Sequence, residues 1–382
     1  MLFKFLFRKG FVVMTVFIKK HPALNVKLVR NILKEDLSIQ TITAPDKINV
    51  SDVIIMSQKD KSLSKEEMNN YNIIFLEDVV GRIQENVWQE ISNNYDYYYM
   101  KYQLSKAINS QIDMIITGSS YGLFGIKESM LPNAVNLSLA SQDLYYAVKG
   151  IEYVWNINKN IKHIVLCASY YYFYSDLSKV SNDFEIQRIA KVYSPIFDDR
   201  HNCYLMSPRK NILYKSDIFD IESVLERTAN SFYANGYFND NAPRCNFATR
   251  IWQSDKAWKE LSYEEKAVAG KQRALSHNKS LKHINSLLAN AELFCRFVQF
   301  CRNRNIALTI VVAPASKYYV KHIAPQFKEI FYEVVNSIDS SLKILDYSND
   351  ESFLDEDFND MDHLSDSGAI KLTNAITREY TI

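Results

Sequence analysis

Short apolar runs alternate along this chain with longer stretches whose apolar positions recur every three to four residues. The runs Phe11–Ile18, Val53–Met56, Ile73–Phe75, Met114–Thr117, Val135–Leu139, His163–Leu166, Leu308–Val312 and Lys343–Leu345 predict strands. Between them, helical spacing predicts helices over Ser64–Asn70, Val79–Ser92, Tyr98–Ser110, Gln142–Trp155, Tyr263–Arg302 and Phe327–Ser337. In the long stretch ending at Arg302, the apolar stripe is read as Leu281, Ile284, Leu287, Leu288 and Leu293. Strands that alternate with helices imply an α/β fold with a largely parallel sheet. The pattern lapses between about 178 and 260, where Asn, Asp, Tyr and Phe dominate without periodicity. That segment is expected to be a loop-bearing insertion, of a length that often closes over a site. A boundary near residue 108 separates a small N-terminal α/β domain, 1–108, from a domain over 109–382.

Composition narrows the function classes. The 382 residues carry 45 Lys+Arg against 44 Asp+Glu, and 47% are hydrophobic, so an ordinary core is available. A net charge of +1 argues against a nucleic-acid partner. With only 9 glycines there is no GxGxxG or GxxxxGK[ST] phosphate cradle. The five cysteines form no CxxC pair and read as reduced thiols of a cytoplasmic protein. No histidine has metal-ligand spacing, so no metal is expected. The apolar N-terminus is broken by Arg8, Lys9 and Gly10, too short a run to span a bilayer or to act as a secretory signal. Its first 34 residues hold eight basic residues and no acid, which allows peripheral contact with an anionic inner membrane. The competing reading is a buried first strand with solvated lysines at its ends.

Two segments carry chemistry. In Ile115-Ile116-Thr117-Gly118-Ser119-Ser120-Tyr121-Gly122, a β-branched strand runs through Gly-Ser-Ser into a helix-compatible segment. A serine on such a turn is held clear of the sheet, with its own N–H at a helix N-terminus where an oxyanion is stabilised. Near the other end stands Asp360-Met361-Asp362-His363-Leu364-Ser365. A carboxylate three residues before an imidazole can take one ring N–H, which leaves the other nitrogen free to accept a serine proton. Ser365 is an N-cap candidate for a helix running to Arg378 and would anchor His363 in a short loop. Asp362 competes with Asp360 for the orienting role.

Together these segments resemble the SGNH (GDSL-type) hydrolase and acyltransferase superfamily, in the order of its motifs over roughly 112–382. Gly118-Ser119-Ser120 is similar to the first block, Gly-Asp-Ser, with Ser for Asp. Val135-Asn136-Leu137-Ser138-Leu139-Ala140-Ser141 is similar to the second, with Ser141 in the place of its glycine. Asp360-x-x-His363 with Leu364-Ser365 and Gly368-Ala369 resembles the last block, as do Leu308–Pro314, Lys317 and Tyr318 an element of the polysaccharide-modifying members. The third block departs: Val165–Tyr171 has no Asn to supply an oxyanion donor, and Tyr170 or a group from the insertion is expected to replace it.

The resemblance implies a three-layer domain in which Ser120 is the nucleophile, His363 the base and Asp360 its orienting acid. The backbone N–H groups of Ser120 and Ser141 would form the oxyanion hole. Tyr121, Asn136, Tyr170 and Tyr171 are candidate substrate contacts. It further implies O-acyl transfer or hydrolysis on a carbohydrate, a surface polysaccharide or its precursor. No cofactor would be held permanently, and a transferase would draw on an acyl donor such as acetyl-CoA. Two alternatives stay open. One is a catalytically degenerate domain that binds glycan or scaffolds a biosynthetic complex. The other is an α/β-hydrolase, because Gly118-Ser119-Ser120-Tyr121-Gly122 is also a G-x-S-x-G elbow, with Asp346 or Asp350 as the acid.

Overall fold

The computed structural model describes residues 15–22, 24–45, 48–49, 52–181, 183–203, 216–234 and 257–380. The chain is an α/β protein with two parallel sheets and divides into two compact units. The first unit runs in the order β1 (Thr15–Lys19), α1 (Val26–Ile32), β2 (Ser38–Ile42), β3 (Val53–Met56), α2 (Lys65–Met68), β4 (Asn72–Phe75) and α3 (Leu76–Asn93). Its strands pair in the parallel order β2-β1-β3-β4. β3 is buried throughout, as its unbroken Val-Ile-Ile-Met run requires. α2 starts where expected because Ser64 and Glu67 form a reciprocal capping box. β2 was not foreseen: its Ser-Ile-Gln-Thr-Ile run is only half-buried and too polar to stand out as a strand. Residues 216–231 also belong to this unit. Leu33 bridges to Phe219 and the Lys34 N–H donates to the Ile218 carbonyl, which pins a distant segment onto the end of α1.

The second unit begins at Asn94, fifteen residues before the expected start at 109. The reason is α4 (Tyr95–Ala107), whose Tyr99 hydroxyl and Gln103 amide donate to the Asn136 carbonyl at 2.8 and 2.9 Å. After it come β5 (Met114–Gly118), α5 (Ser120–Gly125), β6 (Ala134–Asn136), α6 (Leu144–Ile157) and β7 (His163–Ala168). The region expected to be a loop-bearing insertion contains α7 (Asp183–Arg188), a π-turn at Ile189–Tyr193, α8 (Ser194–Phe197) and α9 (Ile221–Ala234), the last belonging to the first unit up to Ser231. Its residues 204–215 and 235–256 lie outside the described residues. α10 (Tyr263–Asn278), α11 (Ile284–Arg302), β8 (Ala307–Val312), α12 (Lys317–Val320), α13 (Gln326–Asp339), β9 (Lys343–Asp346) and α14 (Asp366–Arg378) complete the unit.

All five strands of this sheet run parallel in the order β6-β5-β7-β8-β9. The sheet forms the middle of three layers. On one face Met114, Ile116, Val165, Cys167 and Val311 pack with Tyr121 and with Leu372 and Ile376 of α14. α4, α6, α11 and α13 associate as a separate group. The order reverses between β5 and β7, and such a switch point opens a crevice at the carboxyl ends of the strands. Ser120 follows β5 directly and so stands at that point.

Two helical expectations need correction. The stretch Tyr263–Arg302 is two helices, parted by a turn at Lys279–Lys282, where Asn278 ties back to the His322 carbonyl and the Ala324 N–H. The expected stripe is only partly buried: Leu281, Leu287 and Leu293 are half-buried, while Ile284 and Leu288 are 48% and 63% exposed. The buried face of α11 is Ser286, Asn290, Phe294, Phe297, Val298 and Cys301. Asn290 is drawn inward because its amide donates to the carbonyls of Phe173 and Ser175, each at 2.8 Å.

α6 is capped by Asp143, which accepts from the Tyr146 N–H and, with its other oxygen, from the Leu177 N–H. Burial pushes this carboxyl up to about 7. A raised folded-state pKa stabilises the fold fully below the ordinary carboxyl value, and the contribution is lost as pH rises through 7. Unfolding free energy is therefore expected to fall between about pH 4 and pH 7, by up to ~1.4 kcal/mol per pH unit from this group, and to level off above pH 7. Urea melts of Asp143→Asn should lack that slope; an unchanged slope would refute the assignment.

Of the basic N-terminal residues, Lys4, Arg8 and Lys9 lie outside the described residues, as does the stretch Phe11–Met14 of the first expected strand. Lys19 is no surface charge: it is 3% exposed, with its ammonium 2.5 Å from Asp60 and 2.6 Å from Ser62. Among the described residues, no helix is long and apolar enough to cross a membrane.

Candidate active site

Gly118 ends β5 with φ 137°, a region that disfavours side chains. A Cβ there would also collide with the Cys167 carbonyl of β7. The chain can therefore leave the sheet close beside β7, and α5 starts at once, with Ser119 as its N-cap and Ser120 its first residue. Gly122, one turn on, packs against Ser138 and Cys167, where a side chain would not fit. Ser120 is thus fixed by three strand ends.

The imidazole arrives on a closed loop. Phe358 and Leu364 form an antiparallel bridge, and the Asn359 N–H donates to the His363 carbonyl at 2.8 Å. Asp360 turns the tip, its Oδ1 accepting the backbone N–H groups of Asp362 and His363 at 2.9 and 2.8 Å. Ser365 then caps α14 by accepting from the Gly368 N–H. Leu372 and Ile376 of that helix are fully buried, worth about 2 kcal/mol each, and hold the loop to the core.

The two halves meet. His363 Nε2 lies 2.8 Å from Ser120 Oγ, and His363 Nδ1 lies 2.8 Å from Asp360 Oδ2. Asp362 Oδ1 stands 3.6 Å from the same Nδ1, so Asp360 is the nearer carboxylate. With Nδ1 against a carboxylate, the ring proton belongs there and Nε2 is free to accept. Burial alone would lower the His363 pKa, but Asp360 and Asp362 outweigh it and the net shift is upward.

The remaining expected residues are placed as follows. Ser141 has φ 56° at the third position of a turn closed by the Gln142 N–H on the Leu139 carbonyl. Glycine reaches that left-handed conformation more readily than serine does. Asn136 is corrected as a substrate contact: it is 1% exposed, its amide donating to the carbonyls of Gly122 and Ile126 while its Oδ1 accepts the Ser138 N–H. Tyr121 is corrected likewise, being buried with its hydroxyl donated to Asp362 at 2.6 Å. Tyr170 gives its proton to Asp346 at 2.5 Å and also meets Ser348, so its hydroxyl is not the missing oxyanion donor. Tyr171 lies half-buried, with its hydroxyl 2.9 Å from that of Tyr121. Ser169, 9% exposed, lies two residues beyond Cys167, the partner of Gly118.

Sequence reasoning missed Arg273, His277 and Tyr319, which stand behind the imidazole. Arg273 and His277 share a face of α10 with Gly270, whose missing side chain lets the helix touch the Tyr318 backbone. Small residues beside a polar i, i+4 pair were the available sign of burial. Asp346 is held by Tyr170, Tyr332, Ser348 and Lys328, which gives it a role away from His363.

Among the described residues, one further group could accept a metal ion: Asp143, Asp176 and His201 bring one ligand atom each within 4.8 Å of one another. Both carboxylates already have protein partners, Asp143 as the α6 cap and Asp176 on Lys179 and Ser178.

No family model and no curated protein matches the chain. Among solved structures, one from Streptococcus pneumonia, provisionally described as a platelet activating factor, is similar at 8% identity and a TM-score of 0.35. That similarity covers 79% of this chain and 98% of the other.

Proposed function

We propose that the second unit is an SGNH-type serine enzyme that transfers or hydrolyses O-acyl, in the first place O-acetyl, esters of a carbohydrate. The observation that carries this reading is the continuous relay Ser120–His363–Asp360, with both contacts at 2.8 Å. Ser120 attacks the ester carbonyl while His363 Nε2 takes its proton. Asp360 stabilises the imidazolium, and His363 returns the proton to the leaving alcohol. A covalent acyl-serine then passes its acyl group to water or to a sugar hydroxyl. The first-turn N–H of Ser120 has no carbonyl to bond within α5 and supplies one oxyanion donor; that of Ser141 supplies the second. The carbohydrate, and acetyl-CoA as donor for transfer, rest on the motif resemblance alone. A glycan-binding role without turnover is favoured by one observation, the absence of an Asn from Val165–Tyr171, the stretch that resembles the family's third block.

Fluorophosphonate labelling tests the choice. Labelling is expected on Ser120 only, and to vanish in Ser120→Ala and His363→Ala. Its rate should rise with pH through a midpoint above the ordinary histidine value of about 6.5, because His363 must be neutral to act and its pKa is raised. Folded protein that is never labelled would overturn the enzymatic reading and support the glycan-binding one.

A further inference from the structure

Asp362 lies 3.6 Å from the His363 ring nitrogen that Asp360 orients, and it is 1% exposed. A second buried carboxylate so close would compete for that N–H unless something else engaged it. Arg273 does: its Nε donates to Asp362 Oδ1 and Oδ2 at 3.1 and 3.2 Å. Tyr121, the residue after Ser120, donates to the same carboxylate at 2.6 Å and lies against the His363 ring at 5.4 Å.

Behind Tyr121 the proton directions are fixed in sequence. Because Tyr121 spends its one proton on Asp362, the Tyr171 hydroxyl 2.9 Å away donates to Tyr121. Burial and the nearby Arg273 hold His277 neutral, with its pKa at about 3. Its Nε2–H therefore points to Tyr171 at 3.4 Å, while its Nδ1 accepts from Tyr319 at 2.7 Å. Four donors line up toward one carboxylate whose charge is balanced by one guanidinium.

We propose that Arg273 is a positioning residue of this site. It takes Asp362 as its counter-ion, so that Asp360 alone orients His363, and through Asp362 and Tyr121 it fixes the helix turn that carries Ser120. The proposal rests on the serine-enzyme reading above. The charged and titratable groups that face His363 are Asp360 and Asp362 from its own loop, Ser120 and Tyr121 from α5, and Arg273 and His277 from α10.

The test is a charge cycle in the full chain: Asp362→Asn, Arg273→Met, the double variant, and Arg273→Lys. It has two readouts, His363 titration by nitrogen NMR and the pH profile of Ser120 labelling. Asp362→Asn leaves a buried cation unopposed, so the His363 midpoint should fall. Arg273→Met leaves a buried anion unopposed, so the Asp362–His363 pair should hold its proton to higher pH. Arg273→Met should slow labelling at pH 7 by ~10-fold or more, because less of His363 is neutral there, and Asp362→Asn should lower the high-pH plateau of labelling, because a weaker base then takes the serine proton. The double variant, neutral at both positions, should bring the midpoint back toward wild type and label faster than either single. Arg273→Lys should lie between wild type and Arg273→Met. Two opposed shifts that cancel are not what a loss of packing gives. Singles with unmoved midpoints, or a double variant as slow as the two losses combined, would overturn the proposal. Should the wild type never label, the enzymatic reading falls, and the NMR shifts still decide whether the pair tunes His363.

Discussion

Asp360→Asn is expected to slow the acylation of Ser120 by about 10⁴-fold while leaving the fold and the Ser120–His363 distance intact. The size of the effect follows from which atoms Asp360 uses. Its Oδ1 accepts two backbone N–H groups, those of Asp362 and His363, and its Oδ2 accepts the ring proton on Nδ1. An asparagine keeps its one oxygen on the two backbone donors, since turning the amide would leave both unpaired. Its NH₂ then faces Nδ1, and the imidazole must present an acceptor there. The ring proton moves to Nε2, the nitrogen 2.8 Å from Ser120 Oγ, and the base becomes a donor pointing at the group it should deprotonate. Rapid-mixing measurement of labelling across pH, with melts as the control for folding, checks this. A loss under tenfold would mean that Asp362 can take over, and that the contact at 3.6 Å is a functional reserve.

The parts of this site that were legible in the sequence are those whose geometry is local. Asp360 and His363 are three residues apart, and the turn that joins them uses only their own backbone. Ser120 lies on a strand-to-helix turn that the Ile-Ile-Thr-Gly-Ser-Ser pattern spells out. What escaped notice depends on contacts between distant positions. Arg273 meets Asp362 across 89 residues and Tyr121 meets it across 241. No periodicity marks a polar side chain as buried when its partner is that far away. The same limit explains the misread face of α11. Its apolar stripe is only partly buried, whereas the fully buried side includes Asn290, whose carbonyl partners lie 115 and 117 residues earlier. The unit boundary failed for a related reason. The tyrosine-rich α4 has no pattern that distinguishes one sheet from another, and only the hydrogen bonds of Tyr99 and Gln103 to Asn136 assign it to the second. Asn136 itself was expected to touch substrate, because an Asn beside a serine turn reads equally well as a ligand or a brace. Three hydrogen bonds from its side chain make it a brace.

Gly118→Ala is the substitution expected to damage the second unit most. Two costs coincide at this residue. Its φ of 137° is one that an alanine adopts only under strain, on the order of 1–3 kcal/mol. The added Cβ would also overlap the carbonyl of Cys167, a backbone atom that cannot rotate away as a side chain would. Relief requires β5 and β7 to separate at the pair Gly118–Cys167, in the middle of the sheet, which adds a further cost of about the same size. The expected loss is therefore ~3 kcal/mol or more, seen as a lower urea midpoint with an unchanged slope. Gly81→Ala, inside α3 of the first unit, shows the same exchange without strain or collision, since nothing lies within 4 Å of the new Cβ. There the methyl should stabilise by up to ~1 kcal/mol. If Gly118→Ala melted with the wild type, the close approach of β5 to β7 would be wrong, and with it the turn that brings Ser120 to within reach of His363. If instead it folds at low temperature but labels slowly, the strain has been absorbed by the turn itself. That outcome would show that the same glycine which closes the sheet also sets the position of the nucleophile.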